Sequence, residues 1–382
     1  MSKFDNEIND YYTELKTKLE DHRDNRGKRH VLALVLLLFM YSVLRSCGAL
    51  NYSMIHRQMK RDSDYIKKKL RLKQKTDISY TQLKRILALI DYEKFNAINN
   101  MFFGKIVKNE GRNWKSIDGK ELRGTIDKVV GEKRSENLVQ QVSHESKENT
   151  VIGFYNGSKE SEKTIVKNYF EEHTDLTCEA FTLDALHTNT SLLESINTLK
   201  GIYLMQVKGN QKILLEECEQ VHQNLEGKHQ FSSIDKGHGR LENRNGSLYD
   251  LNVDCLDDRW KNTGIETLIV VERDRIILKT DKKSSETVYF ISNLKLNPST
   301  GEELFNAVRN HWRVEADHYV RDVTLGEDKI QCLKKNIPRV MAIVIGTVLN
   351  LLRRKNIKNN LRELRENLTR NRFLTNQCFC GK

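Results

Sequence analysis

The order of local patterns between residues 113 and 211 restricts the fold more than any other feature of the chain. In NWKSIDGKELRGT (113–125), Lys115, Ser116 and Ile117 read as a strand that ends at Asp118-Gly119, with a polar hairpin after it. LVQQVSHES (138–146) and NTVIGFYNG (149–157) read as two further strands, the second closing at Asn156-Gly157. In SEKTIVKNYFEEH (161–173), Ile165, Val166, Tyr169 and Phe170 share one stripe, which predicts an amphipathic helix. AFTLDALHTN (180–189) reads as a short buried strand ending at Asp184. TSLLESINTL reads as a helix, and GIYLMQVKGNQ (201–211) as a strand running into a Lys-Gly-Asn turn.

Three hairpin strands, a crossover helix and then parallel strands describe an α/β chain with an RNase H-like mixed sheet flanked by helices. In such a sheet the ends of the first and fourth strands are neighbours, which should bring Asp118 and Asp184 together. Residues 212–295 break the alternation. Strand patterns at 236–253, 267–278 and 286–294 predict a β-rich insertion. PSTGEELFNAVRNHWRVEADHYV then reads as a helix, with Ser299 and Glu302 at capping-box spacing. NIPRVMAIVIGTVLNLL (336–352) should be an apolar helix packed on the sheet.

The N-terminal part is helical by pattern. Its most apolar run, VLALVLLLFMYSVL (31–44), falls short of the ~20 residues a membrane span requires, so a buried core helix is expected. Residues 1–24 are polar and read as a helix that frays. A basic block at 67–75, with Lys67, Lys68, Lys69 and Arg71, precedes TQLKRILALID, whose Leu83, Ile86, Leu87 and Ile90 recur at helical spacing. Helix, basic turn and helix fit a DNA-reading helix-turn-helix, or a packed bundle with a solvated basic edge. The expected division is a helical, DNA-binding domain at 1–108, a catalytic domain at 109–211 and 296–355 interrupted by the insertion at 212–295, and a basic tail at 356–382.

Residues 311–328, HWRVEADHYVRDVTLGED, supply a third acid. On one continuous helix His311, Glu315, His318 and Asp322 would share a face. Alone, that is a solvated polar face. Beside two strand-end aspartates it becomes the third wall of an acidic site. Carboxylates about 4 Å apart repel by about 4 kcal/mol per pair at an effective dielectric near 20. Hard divalent cations remove that cost, and Mg²⁺ prefers such oxygen ligands. The chain carries a net charge of +12 and a pI near 9.2, which favours a polyanionic partner. A basic protein gathering three acids is suited to cutting a polynucleotide backbone with two ions.

Other residues qualify as DNA contacts. His187 follows Asp184 by three and could orient a ligand, touch the scissile phosphate or be structural. Lys208, Asn210 and Gln211 suit phosphate and sugar. Arg240 and Arg244 flank Glu242 on one strand face, as DNA contacts or as a self-satisfied ion-pair ladder. No GxxxxGK[ST] loop supports ATP-driven chemistry, and no nucleophile elbow supports acyl transfer. The odd count of 7 cysteines without a CxxC pair predicts free thiols. With no signal-peptide pattern at the start, a cytoplasmic, nucleoid-associated protein is expected.

SIDGKELRGT, TLDALHTN, YLMQVKGNQ, HGRLENR, YFISNL and HWRVEADHYVRDVTLGED, in this order, resemble the DDE transposases of bacterial insertion sequences, in particular the H-repeat-associated group. DHRDNRGKRHVLALVLLLFMYSVL resembles that group's associated helical domain, and the likeness spans residues 20–355. The resemblance implies Mg²⁺-dependent strand cleavage and strand transfer (two ions, with Mn²⁺ as a substitute) at terminal inverted repeats of duplex DNA. It also implies a homodimer in the DNA complex. Asp118, Asp184 and Glu315 match the three catalytic acids. Wider relatives carry Tyr and Arg before the Glu and Lys after it, where this chain has Val308, His311 and Asp322. Asp322, Glu327 and Asp328 compete for the third-acid role, and an inactive or domesticated DNA-binding relative is the alternative.

Overall fold

Hydrophobic burial explains why both ends of the chain come together. A computed structural model describes residues 2–24, 28–48, 50–73, 77–104, 111–126, 135–157, 159–237, 239–331, 334–356 and 360–380. Helix α1 (Lys3–Lys18) is started by a Ser2–Asp5 capping box and buries Phe4, Ile8, Tyr11 and Leu15, so it is a docked helix and not a fraying one. Helix α2 (Leu32–Arg45) is buried along its whole length. A helix apolar on every side needs neighbours on every side. They come from α1, α3 (Tyr52–Lys69), α4 (Tyr80–Leu87) and α5 (Tyr92–Phe103), and from three helices at the far end of the chain. No described helix is long and apolar enough to cross a membrane.

The sheet begins with β1 (Asn113–Leu122), β2 (Glu136–Ser143) and β3 (Asn149–Asn156). It continues through α6 (Lys159–Glu171), β4 (Glu179–Leu183), α7 (Thr190–Thr198), β5 (Ile202–Val207) and α8 (Lys212–Asn224). Four long strands follow, β6 (His229–Gly237), β7 (Arg240–Asp250), β8 (Thr267–Ile277) and β9 (Lys282–Ser292). Among the described residues one nine-stranded sheet results, in the order β3-β2-β1-β4-β5-β9-β8-β7-β6. β1 is antiparallel to β2 and parallel to β4, β4 is parallel to β5, and β9 joins β5 antiparallel. The chain is therefore mixed α/β, a large mixed sheet flanked by helices. The strands of 212–295 extend that sheet and do not form a body apart. Neither α8 nor β6 was foreseen from the sequence pattern.

Helices α6, α7 and α8 cover one face through Val166, Phe170, Leu193, Ile196 and Leu214. The other face receives α9 (Pro298–His311), α10 (Arg313–Tyr319) and α11 (Ile337–Lys355). The cap of α9 is Asn297 with Thr300, with Pro298 in the first turn, in place of the expected Ser299–Glu302 pair. The C-terminal segment is no loose tail. Helices α12 (Leu361–Arg370) and α13 (Arg372–Phe379) bury Leu368, Cys378 and Phe379, and the Cys378 thiol donates to the Leu351 carbonyl at 3.3 Å. One apolar core joins α1–α5 to α11–α13 and to Leu122, Leu138, Val151 and Phe154 of the sheet.

Candidate active site

Parallel register brings the two aspartates together. Ser116 of β1 lies opposite Thr182 of β4. Asp118 and Asp184 each come two residues later, so alternation points both to the face under α9 and α10. Asp118 is not at a strand end, because β1 continues beside β2 to Leu122 after its pairing with β4 stops at Ser116. Asp184 does lie just past its strand, and its Oδ1 accepts the Leu186 N–H at 2.9 Å to cap a short 3₁₀ turn. Beneath the pair, the Ser116 hydroxyl meets His144 Nε2 at 2.8 Å and Thr182 Oγ1 at 3.1 Å, and His311 Nδ1 lies 3.0 Å from Thr182 Oγ1.

The electrostatics mark a cluster short of cations. Burial pushes the Asp118 carboxyl up to about 7, reinforced by repulsion from Asp184, Glu162 and Glu315. His318 Nδ1 stands 3.8 Å from Asp118, but burial holds that imidazole down to about 4. Burial also lowers His311 to about 4 and His144 to about 3, so the three rings are neutral near pH 7. Glu315 is exposed on α10. Desolvation by its surroundings raises it while Lys208 opposes the shift.

Glu162 went unnoticed in the sequence, although a signal was present. It lies four residues before Val166 and eight before Phe170, so it sits on the apolar stripe of α6, where a carboxylate is out of place. The structure buries it beside Asp118. Its Oε2 accepts the Tyr155 hydroxyl at 2.6 Å, and its Oε1 meets His187 Nε2 at 3.1 Å. Burial opposes ionisation, yet these two bonds hold its carboxyl below the ordinary glutamate range.

The helix expected at 311–322 is broken. Helix α9 ends at His311, α10 restarts at Arg313, and residues Val320–Thr324 form a π-turn. Buried charge lies on the sheet side of this stretch. Asp317 is fully buried, accepting from Gln140 at 2.8 Å and Asn149 at 3.3 Å, and it pairs with Arg353. Arg321, also fully buried, forks onto Glu327 at 2.7 and 2.8 Å and reaches the Ala342 carbonyl at 2.9 Å. Lys120, one turn of the pleat beyond Asp118, pairs with Asp322 at 2.7 Å, Asp328 at 3.4 Å and Glu327 at 3.6 Å. The competing acids of this stretch are thus engaged by the chain's own cations. His311, Glu315, His318 and Asp322 do not form one free face.

Glu315 opens into a cleft of about 1060 Å³ whose walls include Lys208, Trp312, Arg309 and the arginines of β7 and β8. Arg240 and Arg244 both pair with the buried Glu242, as does Arg275 at 3.0 Å. Arg244 also shares Asp235 with Arg309. Three guanidiniums on one carboxylate leave a surplus of positive charge, so the ladder is only partly self-satisfied. Asn210 and Gln211 instead brace the loop after Asp184, donating to the carbonyls of Ala185 at 2.7 Å and Thr188 at 2.8 Å. Lys67 is buried on Asp77 at 2.8 Å and Lys69 reaches Asp5 at 2.7 Å, which leaves Lys68 and Arg71 exposed. Residues 74 and 75 of the basic block, and residue 238, lie outside the described residues.

The donors suit a hard cation. Asp118 and Asp184 each lie two residues beyond the paired Ser116 and Thr182, and burial, reinforced by neighbouring acids, drives Asp118 toward protonation. Mg²⁺ is commonly held by one or two carboxylates with waters and substrate phosphate completing its shell. Among the described residues no three His, Cys, Asp or Glu side chains converge closely enough to enclose one ion.

The chain matches the DDE_Tnp_1-associated domain family over residues 15–103. It is 30% identical to the candidate transposase YncI of Escherichia coli O157:H7, over 67% of this chain and 66% of that one. It is 25% identical to the H repeat-associated candidate transposase YhhI of Escherichia coli K12, and equally to the protein YbfL of that strain. Each match covers 87% of this chain and 88% of the relative.

Proposed function

The chain belongs to the bacterial insertion-sequence transposases, in the H-repeat-associated group, and on that premise we propose that it cleaves and joins DNA phosphodiester bonds at terminal inverted repeats. The observation that carries this reading is the gathering of Asp118 and Asp184, each two residues beyond the paired Ser116 and Thr182, with Glu315 adding to the burial and like charge that raise the Asp118 carboxyl. The order β3-β2-β1-β4-β5, with only β2 antiparallel to its neighbours, supports an RNase H-like reading of this half of the sheet.

Asp118 and Asp184 would hold Mg²⁺ or Mn²⁺, with Glu315 closing the site from α10. When bound, two such ions activate a water or a 3′-hydroxyl and stabilise the leaving oxygen of the phosphodiester. The chain's own residues bind and orient the strand. Lys208 lies by Glu315, where a phosphate oxygen would sit. The arginines of β7 and β8 take the phosphates further along the cleft, and the exposed face of Trp312 offers a surface for a base. Lys68 and Arg71 add a distant duplex contact. Pairing two element ends calls for a homodimer in the DNA complex.

The test is cleavage of an end-labelled duplex carrying the inverted repeats that flank the coding DNA, with Mg²⁺ or Mn²⁺ present. Asp118→Ala, Asp184→Ala and Glu315→Ala should each abolish product while duplex binding persists. Three variants that cut like wild type would remove the acid assignment. Binding without turnover in the wild type would favour the inactive, DNA-binding alternative, which the spread of the three acids also allows.

A further inference from the structure

We infer that Glu162 is a positioning residue that fixes the spacing between Asp118 on β1 and the turn capped by Asp184, a role that deepens the metal-dependent reading above and rests on it. Three contacts converge on its carboxylate from three elements. On β1, a Cβ built at Gly119 would lie 2.4 Å from Glu162 Oε2, so the carboxylate rests directly on the backbone that follows Asp118. On β3, the Tyr155 hydroxyl donates to the same oxygen at 2.6 Å. On the turn capped by Asp184, His187 Nε2 meets Oε1 at 3.1 Å. His187 is itself almost fully buried, so the turn cannot shift without breaking that bond.

The arrangement makes the glycine and the histidine of the two aspartate motifs parts of one device. Gly119 leaves room for the carboxylate, and any larger residue would push it away. His187 carries its position across to the turn that presents Asp184. Both oxygens of Glu162 are occupied, and it approaches from the α6 side while Asp118 faces α10. It therefore acts on the two aspartates and is not a ligand itself. A misplacement of about 1 Å between groups that share an ion can lower a rate by about a hundredfold.

The full-length protein without DNA is titrated with Mn²⁺, and free ion is read by electron paramagnetic resonance. Thermal unfolding in chelator is followed in parallel. Glu162→Ala should stay folded and bind Mn²⁺ at least tenfold more weakly than wild type. Glu162→Gln keeps an acceptor for Tyr155 and turns its amide N–H toward His187 Nε2, which accepts once the ring adopts its other tautomer, and it should bind within threefold of wild type. Wild-type affinity in Glu162→Ala overturns the positioning role, as does a Glu162→Gln loss equal to that of alanine. Should Glu162→Ala fail to fold, Tyr155→Phe and His187→Ala each remove one of the two bonds. Undiminished Mn²⁺ binding in both then overturns the inference. A wild-type protein that binds no Mn²⁺ overturns the metal reading as a whole, a different result from binding that ignores Glu162.

Discussion

Two groups of acids lie within a few residues of each other on the α10 side of the sheet, and they are treated in opposite ways. Asp322, Glu327 and Asp328 meet Lys120, and Glu327 is gripped by Arg321 as well. Burial opposes ionisation of Glu327, but Arg321 and Lys120 hold its carboxyl below the usual range. Among the described residues neither Asp118 nor Asp184 makes an ion pair with Lys or Arg, and Glu315 has Lys208 nearby without an ion pair. Burial and like charge push Asp118 up to about 7, and its neighbouring imidazole is neutral. A carboxylate cluster completed by the chain's own cations is architecture. One left short of positive charge, at the mouth of a cleft, is where a ligand is expected to supply it. This difference selects Glu315 from the five acids of its stretch, since Asp317 is paired as well, with Arg353.

The largest expected effect follows directly. Glu315→Gln should lower cleavage about a thousandfold, equivalent to about 4 kcal/mol of transition-state stabilisation. Asp322→Asn should stay within about tenfold of wild type, because it removes one of three acids from Lys120. Single-turnover cleavage of a labelled duplex measures both. Equal losses would erase the distinction between the clusters.

The second prediction concerns stability. Arg321→Ala leaves the buried Glu327 to Lys120 alone, at 3.6 Å, and should cost about 3–5 kcal/mol in urea unfolding. Replacing both partners, Arg321→Met with Glu327→Leu, should cost much less, since two apolar groups leave no unpaired charge behind. A double variant as unstable as the single one would mean that Lys120 depends on Glu327 more than the geometry indicates.

The order of elements from β1 to β5, and with it the proximity of Asp118 and Asp184, was legible in the sequence because hydrophobic period is a local property. The stripe of α6, the short buried strand before Asp184 and the wholly apolar α2 all follow from spacing alone. What sequence could not supply was the pairing of charges. Lys120 and Arg321 find their acids only through the fold, so Asp322, Glu327 and Asp328 remained open competitors. The break at Trp312 and the π-turn, which accompany the burial of Asp317 and Arg321 on the sheet, have no such local signature. The docking of the C-terminal helices was masked by their charge. Arg365 is buried there, donating to the carbonyls of Ser46 at 2.8 Å and Gly48 at 3.1 Å.

A third, smaller effect tests the cation-rich wall that faces the acids. Glu242 is shared by Arg240, Arg244 and Arg275. Glu242→Gln should free positive charge and steepen the salt dependence of DNA binding by about 0.9 in log–log slope for each further phosphate engaged. Arg240→Ala should flatten it by a similar amount. Fluorescence anisotropy between low and moderate salt reads both slopes. An unchanged slope in both variants would make the ladder a purely internal brace.

The smallest effect asks whether the Asp118–Asp184 cluster has a hidden cation of its own. His144 lies beneath the pair, bonded to Ser116 and Thr182, and burial depresses its pKa from 6.5 to about 3. In the unfolded chain this ring takes a proton below pH 6.5, whereas in the folded chain it stays neutral until about pH 3. The unfolded state therefore binds more protons in that window. The stability His144 contributes is present above pH 6.5 and is lost as pH falls toward 3. The limiting slope is about 1.4 kcal/mol per pH unit. Urea unfolding across that range should give wild type a steeper fall than His144→Gln by up to that amount. A wild-type slope no steeper than the variant's would mean that the ring is protonated in the folded protein. The acid pair would then carry a built-in counter-charge, and its contrast with the Lys120 cluster would disappear.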